Sequence, residues 1–200
     1  MQERSSPVSS RRRFAAAGAG AALAVLGARP LGRLVRLDDA TAAPSKAQDA
    51  RILQLVLQLE YTQVAFYEQA LQHGLSGALR DFAGTTLDHE RAHLAAIQKA
   101  LGAAAGPRPA FRFGAKIESA DAFVRTSIEL EDVAVAAYNG QAANLTKATL
   151  AAAAEIVSVE ARHAAWIRAI AGEVAAPDPV DKPITAAQAA RRLHEIGMRT

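Results

Sequence analysis

The chain has 200 residues, no cysteine and a formal charge of +3. Without cysteine it has no disulfides, no zinc ribbon, no thiolate-held iron–sulfur cluster and no thiol nucleophile. Forty-nine residues are alanine and only 5% are aromatic, a composition that favours thin, closely packed helices over strands and fits one domain plus extras.

The charge is unevenly spread. Residues 1–42 carry seven arginines against Glu3, Asp38 and Asp39, a net of +4, whereas residues 43–200 carry 16 basic and 17 acidic side chains. The basicity belongs to the N-terminal segment, and the body shows no nucleic-acid footprint. Within that segment Ser10-Arg11-Arg12-Arg13-Phe14 precedes an uncharged apolar run from Ala15 to Ala28. The run is too short and too rich in Ala and Gly for a firm membrane span, which takes roughly 20 strongly apolar residues. A basic region, a weak apolar region and then small residues is the layout of an export signal. Ser10 to Phe14 resembles the twin-arginine pattern Ser/Thr-Arg-Arg-x-Phe, and Ala40-Thr41-Ala42 offers a small-x-small cleavage site. Residues 1–42 are therefore expected to engage the export machinery and direct the chain to the periplasm or cell exterior. A basic tail or uncleaved anchor is the alternative.

In the body, apolar residues recur at helical spacing from Asp49 to about His73, with Leu53, Val56, Leu57, Glu60, Val64, Tyr67 and Leu71 as the inward stripe. Gly74-Leu75-Ser76-Gly77 breaks that helix. A second helix is expected from about Ala78 to Leu101, then an irregular connection from Gly102 to Glu118 with two Pro and three Gly. A third helix starts near Ser119-Ala120-Asp121, where Ser or Asp can cap, and runs to about Asn144. A fourth spans about Lys147 to Glu173. Pro177, Pro179 and Pro183 mark a linker, and Thr185 opens a short tail helix to about Met198. No alternating strand pattern of useful length is present.

The connections set the topology. Tight turns make the first and second helices antiparallel, and likewise the third and fourth. The connection between the pairs, roughly 17 residues, can reach about 50 Å when extended, and a helix of the second one's length is about 36 Å long. It can therefore cross the whole bundle. Two hairpins joined by one long crossover form an all-α, ferritin-like four-helix bundle, here over residues 43–176, with the linker and tail helix over 177–200.

An internal repeat runs through these helices. Glu60 to Tyr67 and Glu131 to Tyr138 both read Glu-x-x-x-Val-Ala-x-Tyr, and Glu90 to Ile97 and Glu160 to Ile167 both read Glu-x-x-His-x-x-x-Ile. The copies are offset by 71 and 70 residues. Midway between positions 60 and 90 lies Leu75, in the first turn; midway between 131 and 160 lies the second. Each lone Glu thus sits level with a Glu-x-x-His across its hairpin, and a spacing of three puts that Glu and His on one helix face. Four carboxylates and two imidazoles converge mid-bundle.

In an apolar bundle these carboxylates would repel one another and carry a large desolvation cost; two divalent cations would neutralise them. The set matches the ligands of di-iron and di-manganese carboxylate proteins. The expected ligands are Glu60 and Glu131 as terminal groups, Glu90 and Glu160 as bridges, and His93 and His163, one on each ion. The cofactor expected is two Fe or Mn ions, which carboxylate and imidazole donors do not distinguish.

Other polar residues are read as subsidiary. Tyr67 and Tyr138, two turns beyond the lone Glu residues, are either core tyrosines with satisfied hydroxyls or side chains that hydrogen-bond the ligands. Glu68, Glu129 and Asp132 lie off the stripe, and the repeat selects Glu131 over Glu129. His73 ends a helix, His194 is in the tail, and His89 should point about 100° away from Glu90. Phe82 and Trp166 read as core.

At these residues the chain resembles the ferritin-like superfamily of rubrerythrins, bacterioferritins and manganese catalases. It most resembles the exported bacterial ferritin-like domain family related to plant desiccation-associated proteins. Phe111-Arg112-Phe113, Leu130-Glu131-Asp132, Ala137-Tyr138-Asn139-Gly140 and Pro179-Val180-Asp181-Lys182-Pro183-Ile184-Thr185 carry the likeness as well. The rubredoxin-like Cys module is absent, and so is an internal Met suited to haem. The resemblance implies one of two roles: an oxidative di-metal protein that oxidises Fe(II) or removes peroxide in stress protection, or a non-catalytic protective protein in which the metals act as a clamp. O2 or peroxide would be the small-molecule partner of the first. A homo-oligomer is compatible with either.

Overall fold

The computed structural model describes residues 43–199; the twin-arginine-like motif and the small-x-small site lie outside the described residues. Four long helices form the bundle: α1 (Lys46–Ala70), α2 (Gly77–Leu101), α3 (Ala120–Gln141) and α4 (Lys147–Ile170). A fifth, α5 (Ala186–Ile196), lies against α1 and α3. None of the described helices is long and apolar enough to cross a membrane.

The helix starts follow capping chemistry. Ser45 and Ser119 accept hydrogen bonds from the amides of Gln48 and Ala122, both at 3.2 Å, so α1 begins three residues before the expected Asp49. At α5, Thr185 and Gln188 form a reciprocal capping box. The N-terminus of α4 is capped from another helix. Asp49 of α1 accepts from the Thr146 amide at 2.9 Å, the Thr146 hydroxyl at 2.5 Å and the Thr149 hydroxyl at 2.7 Å. Burial alone would raise the Asp49 pKa, but these donors outweigh it and hold it below the ordinary value.

The buried surface of α1 is broader than one stripe. Leu59, Phe66 and Gln63 are fully buried, while Leu53 and Leu71 are only half-buried. The reason is coverage from several sides: the crossover bonds to Tyr61 and Gln54, and α5 packs against α1. Periodicity in one segment does not reveal what will cover its outer faces.

The crossover pairs with the tail. Residues Ala110–Phe111 (β1) and Met198–Arg199 (β2) form a two-residue antiparallel pair, too short to leave an alternation in sequence. Gly197 makes that junction fit: a Cβ there would sit 2.6 Å from the Phe113 ring and 2.8 Å from the Arg112 carbonyl oxygen. Gly140 does the same for the linker, since its Cβ would lie 1.9 Å from the Ile184 carbonyl oxygen. The tail adds Ala189, Leu193, Ile196 and Met198 to the core; a large aliphatic side chain buried in this way contributes about 1.5–3 kcal/mol.

Candidate metal centre

Each of the four bundle helices delivers its part of the repeated motif to one point. Glu60, Glu90, Glu131 and Glu160 are fully buried, the His163 side chain is 3% exposed, and His93 keeps an edge 11% exposed. Two groups of potential donor atoms form, each with all its atoms within 4.8 Å of one another: Glu60, Glu90, His93 and Glu160, and Glu90, Glu131, Glu160 and His163. Glu90 and Glu160 belong to both.

Nδ1 of His93 lies 3.0 Å from Glu160, 3.1 Å from Glu90 and 3.6 Å from Glu60. Nδ1 of His163 lies 3.0 Å from Glu90 and 3.4 Å from Glu131. Glu90 divides its oxygens, Oε2 toward His93 and Oε1 toward His163. These contacts are close, yet many are not hydrogen bonds. Glu60 Oε2, Glu90 Oε1, Glu160 Oε1 and His163 Nδ1 are all buried without a hydrogen-bond partner. These atoms crowd together without a partner in hydrogen-bond geometry. Buried polar atoms are rarely left so, and this donor set, carboxylate oxygens with imidazole Nδ1, fits a divalent ion of the Fe or Mn type.

The protonation pattern points the same way. Burial pushes the Glu60, Glu90 and Glu131 carboxyls above their ordinary values, Glu131 to about 7. Burial would also raise Glu160, but the neighbouring imidazoles hold it below its usual value. Burial would lower His93 and His163; the surrounding carboxylates outweigh this and push them up to about 12 and about 10. Protons on the two imidazoles thus occupy the electrostatic role of cations.

Both tyrosines reach across the bundle to the carboxylates. Tyr138 on α3 donates to Glu60 on α1 at 2.7 Å, and Tyr67 on α1 donates to Glu131 on α3. Burial raises both phenols well above their ordinary pKa, so they remain donors. Glu129 points elsewhere, to Arg192 of α5 at 3.0 Å. Glu68 is held by Arg91 and Arg108, and Asp132 by Arg168. His194 faces the Met198 carbonyl oxygen at 3.2 Å, and His73 is exposed.

Three residues play parts not foreseen from the sequence. Gln63, fully buried one turn after Glu60, donates to Glu131 at 3.2 Å and to Glu160 at 2.8 Å. Its spacing of three from Glu60 was the available signal. His89 does not turn away from the site: its Nδ1 lies 2.9 Å from Nε2 of His163, with the rings nearly parallel. It points away from Glu90 along α2 and thereby toward α4, a neighbour that helix geometry alone does not supply. Trp166 is 38% exposed rather than core. It packs edge-on against Phe82 and lines, with His89, His93 and His163, a cavity of about 490 Å³ between α2 and α4.

A family model described as a ferritin-like domain matches residues 48–173. The chain belongs to this ferritin-like family. The match covers every residue of the buried cluster and all four bundle helices apart from Lys46 and Ala47 at the start of α1, so family and geometry refer to the same part of the protein. No curated protein matches this ferritin-like chain.

Proposed function

We propose that this ferritin-like protein holds two Fe or Mn ions between Glu60, Glu90, His93, Glu131, Glu160 and His163, and uses them oxidatively, in Fe(II) oxidation or peroxide removal, as stress protection. The observation that carries the metal reading is the set of orphaned buried atoms, Glu60 Oε2, Glu90 Oε1, Glu160 Oε1 and His163 Nδ1, within two groups that share two carboxylates. Two such ions would supply a redox pair for exchange of electrons with Fe(II), O2 or peroxide. The protein's own part is to hold the carboxylates and keep bulk water out. Tyr138 and Tyr67 fix Glu60 and Glu131 by donated hydrogen bonds, and Trp166, braced edge-on by Phe82, forms one wall of the cavity beside the two imidazoles. What favours an oxidative role over a clamp is the cavity between α2 and α4, which brings His93 and His163 to a surface where a small molecule can approach.

The test is metal analysis of protein from its native compartment, followed by anaerobic reconstitution with Fe(II) or Mn(II) and stopped-flow absorbance on mixing with O2 or peroxide. Two equivalents of Fe or Mn that are oxidised on mixing support the proposal. Bound metal that stays unreactive to both leaves the clamp. The twin-arginine reading belongs to the same proposal, because export in the folded state lets the site fill before the chain leaves a compartment poor in copper and zinc, which outcompete Fe and Mn at N/O sites. Replacing Arg11, Arg12 and Arg13 together with Lys should abolish export; unaltered export overturns that part.

A further inference from the structure

The repeat is symmetric in its six principal residues and asymmetric in their supports. The 71-residue offset places Ala134 at the position equivalent to Gln63, and the 70-residue offset places Val159 at the position equivalent to His89. Neither Ala nor Val can hydrogen-bond a ligand. Both polar residues favour one half of the site: His89 meets only His163 of the six, and Gln63 bonds Glu131 together with the shared Glu160 but not Glu60. Glu131 receives two donors, Tyr67 and Gln63, whereas Glu60 receives one, Tyr138. His163 engages both ring nitrogens, Nδ1 toward Glu90 and Glu131 and Nε2 with His89. His93 engages only Nδ1; among the described residues no hydrogen bond reaches its Nε2. The His93 side chain is also the more exposed, 11% against 3%.

We infer that Gln63 and His89 make the two metal positions unequal: the one at Glu131 and His163 holds its ion tightly, and the one at Glu60 and His93 exchanges it. The inference rests on the di-metal reading above. Its physical basis is pre-organisation. A partner on the far nitrogen of a ligating imidazole fixes its tautomer and ring orientation and raises its basicity; losing such a partner costs roughly 10–100-fold in metal affinity. With Nε2 paired to His89 Nδ1, the ring of His163 is held with Nδ1 facing Glu90 and Glu131, where an ion would replace its proton. Gln63, bonded to Glu131 and Glu160 together, holds two carboxylates in place before any ion arrives. His93 and Glu60 must be ordered by the ion itself. Gln63 and His89 are thus positioning residues, and a division of labour follows: one ion stays, and the other is the one that a substrate or incoming Fe(II) meets beside the α2–α4 cavity.

The experiment is anaerobic titration of the metal-free full chain with Mn(II), with free Mn(II) read by electron paramagnetic resonance. The wild type should bind two ions with dissociation constants at least tenfold apart. His89→Val and Gln63→Ala, which copy the other half of the repeat, should each weaken the tight position by roughly 10–100-fold, so that the two steps merge. His89→Asn keeps an acceptor near the place of Nδ1 and should restore most of the separation, which a purely structural role for His89 would not require. Should either truncation fail to fold, Val159→His, which adds a partner on the half-exposed face of α4, should tighten the weak step instead. Two ions bound at a single affinity by the wild type, or steps unmoved by all of these variants, overturn the inference alone. A wild-type chain that binds no Mn(II) and no Fe(II) overturns the di-metal reading with it.

Discussion

The carboxylate layer at Glu60 and Glu131 and the aromatic layer beside it are almost equally dry, yet they are complete in different senses. In the aromatic layer Phe66 stacks parallel on Phe123 at 5.6 Å and meets Phe113 and Tyr67 edge-on at 5.3 and 5.2 Å; Phe82 bridges to Trp166. Every group there is satisfied by contact alone, and such pairs add about 0.5–1.5 kcal/mol beyond area burial. The carboxylate layer contains four buried acids and leaves lone pairs without partners. Dispersion cannot complete it; only positive charge can. Tyr67 belongs to both, its ring in the aromatic layer and its hydroxyl on Glu131. One layer should therefore answer to metal and pH, and the other to side-chain volume only.

The largest effect should come from emptying the carboxylate layer. At free metal about 1,000 times its dissociation constant, one bound ion stabilises the fold by about 4 kcal/mol, so chelation should lower the melting temperature strongly. Replacing Glu60 and Glu90, whose charged forms burial disfavours, by Gln removes two costly charges; the stripped double variant should melt above the stripped wild type and ignore added metal. The pH dependence has a definite sign. Burial raises Glu131 to about 7, so its contribution to the stripped protein is present below about 4.5 and is lost as pH rises through 7. The raised His93 and His163 act in the same direction, with contributions lost as pH rises from about 6.5 toward 10 and above. Metal competes with these protons and binds better as pH rises. The gap in melting temperature between loaded and stripped protein should widen from pH 5 to pH 8. A constant gap in calorimetry would place the metal outside this cluster.

Phe123→Ala should break the other layer. A fully buried Phe lost from a core costs about 3–5 kcal/mol. Urea unfolding should show the same loss with metal and with chelator; a loss confined to one condition would mean that the two layers are a single unit.

Two contacts outside both layers provide smaller controls. Gly140→Ala forces a Cβ onto the Ile184 carbonyl oxygen, 1.9 Å away in an unrelaxed chain. Overpacking of this kind costs about 1–3 kcal/mol, against which better helix propensity returns up to about 1 kcal/mol. The tail should loosen first, seen as faster amide exchange in α5. Asp49→Ala removes the cap of α4 and should cost about 1–2 kcal/mol at neutral pH. Because the Asp49 pKa is lowered, this contribution is present above its ordinary value of 3.8 and disappears as acid carries the pH below the folded value. The stability curves of variant and wild type should then converge at low pH. Neither substitution should alter the response to chelator.

The sequence by itself determined the helices, their pairing and the level at which the acids and imidazoles meet. Those features are local or symmetric: a 3.6-residue period, turn residues between periods, and a motif repeated at offsets of 71 and 70 residues across two short turns. A choice such as Glu131 over Glu129 follows from register within one helix, and Arg192 occupies Glu129 in the fold. What only the tertiary structure decided is which side chains from different helices come within hydrogen-bond reach. His89 meets His163 from 74 residues away, Asp49 caps α4 from 97, Gln63 reaches Glu160, and the Phe111–Phe113 stretch joins the tail at Gly197 and Met198. No periodicity encodes these, because the first three depend on the rotation of one helix about its axis relative to another and the last on where the tail helix sets down the chain end. That rotation is set by the packing of the whole core rather than by either segment alone.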